Sequence, residues 1–311
     1  MKLHYTKLIF IALLVWAYSS GCNVINPSET VPTYIHIDSF QFVPGNYNVT
    51  GSSTHKITSV WAYYNGSPIG VFSLPATIPV IAKGNGTMSF IPGVSMDGMS
   101  SYQTQYPYYL PDSASLTAQP GKIITMVPKS AYVSSTVFLM IENFDVTTSF
   151  VKDPESLCDT TITRVGNVGG VNSGLVEEGG GSGYIHLGTT NDSAQSLTKL
   201  TYTIPIGHTY LELDYKCNTT FYVGIRAYNN STGSTQPVST VNWLMGVRPT
   251  PYDSTTGKYP WNKVYVSLES FVGANQTTSN TVSFAIYIKA AVDAGNQSGY
   301  VSLDNLKILS F

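Results

Sequence analysis

One segment of the sequence, residues 242–261, gathers side chains of the types that recognise sugar rings. The aromatic and polar candidates in it are Trp243, Tyr252 and Tyr259 together with Asn242, Arg248 and Asp253. Sugar rings present apolar C–H patches rimmed by hydroxyls, so flat aromatic faces backed by a few amides and charged groups suit them. A glycan-binding loop is one interpretation. A chain with 22 tyrosines also exposes aromatic rings singly over its surface, and this alternative stays open.

The sequence lacks the spacings that mark common catalytic sites. It contains no HExxH and no GxSxG motif. His36 and His186 stand beside apolar neighbours in alternating segments, where we expect hydrogen-bonded structural histidines. Glu177 and Glu178 are adjacent in a glycine-rich loop, which would hold an acid and a base poorly against a scissile bond. We therefore expect a protein that is not an enzyme.

The N-terminal segment has the pattern of an export signal. A basic head precedes an apolar run at 8–18 that is well short of the roughly twenty residues needed to span a bilayer. The following stretch, YSSGC, resembles the lipobox of bacterial lipoproteins. That resemblance implies a signal peptide at 1–21, a lipid on Cys22 that holds the protein in the bilayer, and a short tether at 22–33. The alternative is an ordinary secretory signal with an incidental cysteine.

Cysteine usage agrees with export. If a lipid occupies Cys22, the chain keeps only Cys158 and Cys217. An even pair in an oxidising compartment could form one disulfide, or the two residues could remain separate thiols.

Composition narrows the choice of partners. Charged residues make up 11% of the chain, against a usual quarter or so. Removing residues 1–21 takes two of the 16 Lys and Arg and none of the 18 Asp and Glu, which leaves 14 basic against 18 acidic side chains and a net charge of −4. A weakly acidic chain without a basic patch is not expected to bind nucleic acid.

Short alternating and β-branched segments separated by turn residues run through the rest of the chain, which predicts an all-β protein. About seven of them between residues 34 and 130 match the size of an immunoglobulin-like β-sandwich. After Pro128 a second series begins at residue 137, and it includes a long glycine-rich loop at 164–183. We predict two β-domains, 34–130 and 137–311.

An aromatic stretch with two prolines, SYQTQYPYYLP at 101–111, lies in the first of these series. Proline excludes a helix and a central strand, so an extended edge or a loop is expected. The rings could form a platform for a partner or could pack against the second half of the chain. We predict the packing, because a large exposed apolar patch is a liability for a monomer.

The second half, 137–311, resembles the β-jelly-roll of galactose-binding-like domains and many carbohydrate-binding modules. Its opening IENFD, its late strand WNKVYVSL and its closing YVSLDNLKI are similar to the corresponding strands of that family. The whole chain, with YIHIDSF near its front, also resembles a family of Bacteroidota lipoproteins. This second resemblance implies location and architecture only.

The jelly-roll resemblance also implies site residues. Many such modules hold one structural calcium ion where the first and last strands meet, and Glu142 and Asp304 are the carboxylates that match. Calcium takes six to eight oxygen ligands, so backbone carbonyls would have to complete the set. The alternative is that both carboxylates bond to backbone amides. By the same resemblance Trp261 is expected in the core.

These observations favour a lipid-anchored protein of the bacterial cell envelope, in the outer membrane, that binds a glycan or another polymer as an accessory module. The alternative is a structural or adhesion lipoprotein that binds an envelope protein and has no sugar site. A jelly-roll fold serves either role, because fold alone does not specify ligand.

Overall fold

The computed structural model describes residues 29–96, 98, 101–166, 174–229, 236–276 and 282–311. The predicted signal peptide, Cys22 and most of the predicted tether lie outside these residues, as does part of the predicted loop at 164–183. Neither helix in the described part of the chain has the length and apolar content that crossing a membrane requires.

Short strands and one helical turn make up the N-terminal half, residues 29–136. Their bounds are β1 Thr33–Ile37, β2 Gln41–Phe42, α1 Tyr47–Thr50, β3 Ser59–Tyr64, β4 Ser67–Ser73, β5 Ala76–Val80, β6 Asn85–Ser95, β7 Gln103–Gln105, β8 Asp112–Thr117, β9 Ile123–Thr125 and β10 Lys129–Ser130.

Two sheets face each other in this half. One has the order β5–β1–β9, and the other has the order β4–β3–β6–β7 with β8 also paired to β6. Alternation in β1 turns Ile35 and Ile37 inward, where they meet Val60 and Phe90 of the facing sheet in one apolar cluster. A β-sandwich is therefore present, as predicted, whereas its assignment to the immunoglobulin type and the domain boundaries stay predictions.

Longer strands build the C-terminal half, residues 137–311. Their bounds are β11 Val137–Glu142, β12 Phe150–Lys152, β13 Thr163–Gly166, β14 Gly181–Leu187, β15 Ser193–Thr198, β16 Tyr210–Cys217, β17 Phe221–Asn229, β18 Gln236–Pro237, β19 Asn242–Val247, β20 Asn262–Ser267, α2 Glu269–Asn275, β21 Val282–Ala291 and β22 Gly299–Ser310.

These strands form two antiparallel sheets. Sheet I has the order β13–β14–β22–β16–β20, with β11 also paired to β22, and sheet II has the order β12–β15–β21–β17–β18, with β19 also paired to β17. Their inner faces share one apolar core, to which central strands contribute every second residue, such as Val223 and Ile225 of β17 and Ile286 of β21. This sandwich confirms the predicted all-β class and jelly-roll architecture.

The N-terminal half packs on the outer face of sheet I. Tyr106, Tyr108 and Tyr109 of the predicted aromatic stretch are buried against Tyr210 and Tyr265, and all five belong to one cluster. Ring centroids of Tyr106 and Tyr265 lie 4.8 Å apart at 61°, an edge-to-face contact of the favoured kind. The prediction that residues 101–111 pack against the second half is confirmed.

The cysteine pair does not form the bridge that the sequence allowed. Cys158 and Cys217 are both free thiols. Cys217 occupies an inward position at the end of β16 and is fully buried in the core, whereas Cys158 lies in the loop after β12 on the other sheet. The alternative of two separate thiols is therefore the one found.

Candidate functional site

The outer face of sheet II carries a line of side chains across four strands. Gln195 of β15 pairs with Lys289 of β21, Lys289 pairs with Tyr222 of β17, and Tyr222 pairs with Gly246 of β19. Directly paired residues of antiparallel strands point to the same face of a sheet. Since the flanking Phe221 lies in the core, these four positions all face outward.

A second line lies two residues along β15, β21 and β17, and three residues along β19, where a bulge shifts the register. Leu197 pairs with Tyr287, Tyr287 pairs with Gly224, and Gly224 pairs with Trp243. Two aromatic residues and two glycines thus alternate at one edge of the face, on β17 and β19. The Tyr222 ring stands opposite one glycine, and the Trp243 ring stands opposite the other.

The two glycines make room for the two rings. A β-carbon built on Gly224 would lie 2.8 Å from Cε3 of Trp243, closer than side chains tolerate, and one on Gly246 would lie 3.1 Å from Cε1 of Tyr222. Glycine in a strand often marks a place where another group approaches the backbone closely. Here the approaching groups are the rings themselves, which settle against the sheet instead of standing off it.

Both rings remain accessible to solvent. Trp243 is 36% exposed and Tyr222 is 44% exposed. Their centroids lie 6.4 Å apart with 71° between the planes, so the pair presents two differently tilted surfaces. The ammonium of Lys289 lies 5.9 Å from the Trp243 ring centroid, within range of a cation–π interaction.

Polar groups border the ring pair. The amide of Gln195 donates from Nε2 to Oδ2 of Asp153 at 2.6 Å, which fixes the amide on the sheet surface. Arg226 donates from Nη1 to Oε2 of Glu155 at 2.8 Å and from Nε to the carbonyl of Ser239 at 2.8 Å. Positive and negative groups on this face thus balance, and its amides and ammonium can exchange hydrogen bonds with hydroxyls.

One end of the face is closed. Tyr228, Ala285 and Tyr287 are buried there under Val241, and the hydroxyls of Tyr228 and Tyr287 lie 2.5 Å apart. The accessible part therefore begins beside Tyr287 and runs toward Tyr222 and Lys289. It has two rings seated over glycines and a polar border, which are components of a site for a ligand with both C–H faces and hydroxyls.

The structure divides the predicted ligand-binding residues between two sheets. Asn242 and Trp243 begin β19, so Trp243 belongs to the face of sheet II. Tyr252 and Tyr259 lie in the loop after β19 and turn to sheet I, where the Tyr259 ring lies 6.3 Å from that of Tyr300. The segment 242–261 is thus not one site.

The remaining predicted residues have more local surroundings. Asp253 accepts hydrogen bonds from Thr255 N and from Thr256 Oγ1, both at 2.8 Å, so its carboxylate holds the loop together. Arg248 is exposed just after β19. Trp261, expected in the core, is instead half-buried at the wall of a cleft of about 250 Å³ beside Lys263.

Sequence reasoning missed Tyr222, Arg226 and Lys289. The signal was present in the alternation of FYVGIRAYN, where the tyrosine, glycine and arginine all occupy the outward positions of one strand. VSFAIYIKAA likewise alternates, and its lysine is outward. An outward face that combines rings, glycine and cations on adjacent strands differs from an ordinary solvated face, but strand pairing is needed to see the combination.

The two carboxylates predicted to bind calcium have protein partners. Glu142 accepts the backbone N–H of Phe144 at 2.7 Å and that of Ser149, and Asp304 accepts Ser182 Oγ at 2.7 Å and Asn305 N at 2.8 Å. In the part of the chain that the structure describes, no three His, Cys, Asp or Glu side chains are grouped to hold a metal.

Nearby carbonyls are also occupied. The guanidinium of Arg164 takes those of Phe144, Asp145 and Gly180 at 2.6, 2.5 and 2.9 Å. Calcium would need such carbonyl oxygens for itself. The residues present do not fit the ion, and a protein cation lies among the oxygens instead.

The sequence matches no protein-family model and no curated protein. The structure of the chain is similar to that of a carbohydrate-binding module (CBM28) specific for non-crystalline cellulose. The two share 12% sequence identity and a TM-score of 0.36, over 54% of this chain and 92% of that one. The family 11 carbohydrate-binding module from Clostridium thermocellum, in complex with a β-1,3-1,4-mixed-linked tetrasaccharide, is similar at 13% identity and a TM-score of 0.34. The match covers 56% of this chain and 94% of that one. The K3 adhesin domain of Lys-gingipain from Porphyromonas gingivalis is similar at 14% identity and a TM-score of 0.36, over 57% of this chain and 100% of that one.

Proposed function

We propose that the protein is a non-catalytic accessory module that binds an uncharged glycan chain on the outer face of sheet II. The observation that carries the proposal is the pair of half-exposed rings, Trp243 and Tyr222, seated beside Lys289 and Gln195 on one open sheet face. Rings stack on the C–H faces of pyranoses, and the ammonium and amide bond to their hydroxyls.

Charge favours an uncharged ligand here. Arg226 is paired with Glu155, and Lys289 shares the face with the carboxylate of Asp153. Neither a strongly anionic nor a strongly cationic polymer would find a net opposite charge on this surface. A neutral polysaccharide, whose hydroxyls donate and accept, meets both kinds of partner.

An array of immobilised polysaccharides tests the proposal. The secreted chain carrying Cys22→Ala, which removes the predicted lipid, should bind at least one neutral polysaccharide, and Trp243→Ala should abolish that binding. Tyr252→Ala, at a 55% exposed ring on the other sheet, is the matched control and should bind as the parent does. If the protein binds no neutral polysaccharide on the array, the proposal is contradicted, and the structural or adhesion role with a protein partner is favoured.

The cellular setting belongs to the same proposal. We place the mature protein in the bacterial cell envelope, held in the outer membrane by a lipid on Cys22, with the N-terminal sandwich as a spacer that carries the jelly-roll away from the membrane. The apolar run at 8–18 and the stretch YSSGC support this placement. Mass spectrometry of the membrane-bound protein should find a diacylglycerol on Cys22. An unmodified N-terminus at another residue would contradict it.

A further inference from the structure

The outer face of sheet I is only partly covered by the N-terminal half. Beyond the cover, His186 of β14 pairs with Tyr300 of β22, and Tyr184 pairs with Ser302, which in turn pairs with Lys216 of β16. These paired positions share the outward face. His186 is exposed, and Tyr184 and Tyr300 are half-buried.

The rings on this open part follow one another without a break. The Tyr184 centroid lies 6.1 Å from that of His186 and 6.2 Å from that of Tyr300, with only 27° and 36° between the planes. Tyr259 continues the series 6.3 Å from Tyr300, and Tyr252 follows at 5.2 Å. We call these five residues the aromatic row.

The row joins two parts of the chain that are distant in sequence. Three of its rings stand on the sheet, and two stand on the loop between β19 and β20. The loop is braced by Asp253, whose backbone bridges to Lys258 and whose carboxylate accepts from Thr255 and Thr256. Because Asp253 is engaged in this way, it leaves the neighbouring Lys258 without a carboxylate partner from the loop.

Cations border the row. Lys258 is exposed beside Tyr259, whereas Lys216, across Ser302 from Tyr184, is buried and donates to the carbonyl of Gly174 at 2.7 Å. Within the described ranges, neither lysine forms an ion pair with a carboxylate. Burial and the charge of Lys258 lower the pKa of Lys216, so the two ammonium groups are near enough to repel each other.

A carboxyl group, that of Glu177, lies near Lys216. Glu177 interacts with Lys216, but burial, together with the charges of Asp214 and Glu178, raises the pKa of Glu177 to about 7. At neutral pH it is therefore only partly ionised. An anion bound at the exposed Lys258 would also be attracted by the charge of Lys216, and it would meet only a fractional opposing charge from Glu177.

We propose that the aromatic row with Lys258 is a second binding surface, which takes an anionic polysaccharide such as a chain of hexuronates. Sugar rings stack along the five aromatic side chains, and a carboxylate of the chain pairs with Lys258 at the border, where the buried charge of Lys216 adds to the positive potential. The proposal goes beyond the function of the sheet II face and does not depend on it, since the two surfaces lie on opposite sides of the sandwich. Net charge does not explain such binding, because the mature chain carries −4.

Polygalacturonate and its fully methyl-esterified form provide a matched pair of probes, since they share rings and differ in charge. The chain carrying Cys22→Ala should bind polygalacturonate and should bind the ester at least about fivefold more weakly. Lys258→Gln should weaken the binding about two- to fivefold, as for a rim charge, and should reduce its salt dependence. Tyr252→Ala should weaken it at least about fivefold.

Two controls keep the surfaces apart. Lys83→Gln changes an exposed lysine of the N-terminal half and should leave polygalacturonate binding unchanged. Trp243→Ala should also leave it unchanged while it removes neutral-glycan binding. The inference is overturned if the parent does not bind polygalacturonate, if the ester binds equally well, or if Lys83→Gln weakens binding as much as Lys258→Gln does.

Discussion

The hydroxyl of Tyr106 donates a 2.8 Å hydrogen bond to Oε1 of Glu212, and both residues are buried where the two halves of the chain meet. Tyr132 donates to the other carboxylate oxygen at 2.7 Å, and the ammonium of Lys263 lies 3.4 Å from it. A buried carboxylate is tolerated only when charge and hydrogen bonds satisfy it, so residues of both halves are needed to complete this site. The relative position of the halves is thereby specified.

Tyr106→Phe should lower the free energy of unfolding by about 1–3 kcal/mol, because it leaves one oxygen of Glu212 unsatisfied while the ring stays in place. Urea denaturation measures the change. Tyr102→Phe, at a 54% exposed tyrosine in the same stretch, should leave the free energy unchanged. Equal stability of the Tyr106→Phe protein and the parent would contradict the role assigned to this bond.

Gly224→Ala should displace the indole of Trp243 and weaken neutral-glycan binding about tenfold, because the new β-carbon would stand 2.8 Å from Cε3 of that ring. Equilibrium titration with the polysaccharide selected by the array measures the loss. Gly273→Ala in α2, where nothing lies within 4 Å, is the control and should bind normally and be slightly more stable. Unchanged binding in Gly224→Ala would mean that the ring position does not matter.

The fold could be predicted from the sequence to the extent that apolar and polar residues alternate along the strands. The inward and outward residues can be assigned directly in the segments FYVGIRAYN and VSFAIYIKAA. The second series of strand-like segments, which begins at residue 137, marks the division of the chain into two halves. The site was less accessible, because Trp243, Tyr222 and Lys289 come together only through pairing between strands far apart in the chain. The residues of the segment NWLMGVRPTPYDSTTGKYPW do not by themselves indicate that Trp243 lies on one sheet and that Tyr252 and Tyr259 lie on the other.

The free energy of unfolding should fall as the pH rises from about 4 to about 8. Burial raises the pKa of Asp304 to about 8, whereas an aspartate in the unfolded chain titrates near 4, so the folded state holds a proton that the unfolded state has lost. Glu177 adds to the fall up to about pH 7. Asp304→Asn should reduce this fall in the free energy of unfolding, as measured by urea denaturation across the pH range. Asp192→Asn, at an exposed site, should not.

Above about pH 8 the fall should level off. Burial lowers the pKa of Lys307 to about 8, so between this value and about 10.4 the unfolded chain binds the extra proton and the contribution of this lysine to stability rises with pH. Burial raises the pKa of the Cys217 thiol to about 12, which acts in the opposite direction, so no marked rise is expected in the same experiment. A steady rise in stability from acid to neutral pH would contradict the buried, protonated state of Asp304.

Arg164→Met should destabilise the C-terminal half by about 2 kcal/mol or more, since it removes charged hydrogen bonds to the carbonyls of Phe144, Asp145 and Gly180. Thermal unfolding measures this loss, and Lys152→Met, at an exposed residue of the same half, is the control. Calcium and a chelator should leave the parent's Tm unchanged. A Tm that falls with the chelator and recovers with calcium would show that an ion, and not Arg164 alone, holds these oxygens.

Calorimetric titration of the selected neutral polysaccharide into the parent and into Trp243→Ala and Tyr222→Ala tests the central claim most directly. We expect saturable binding by the parent and a loss of about 30-fold or more in each variant, the effect of truncating an aromatic residue worth about 2 kcal/mol at a binding surface. Both variants should remain folded at the temperature of the titration, because neither ring belongs to the apolar core between the sheets. Undiminished affinity in both variants would place the glycan elsewhere and contradict the assignment of the sheet II face.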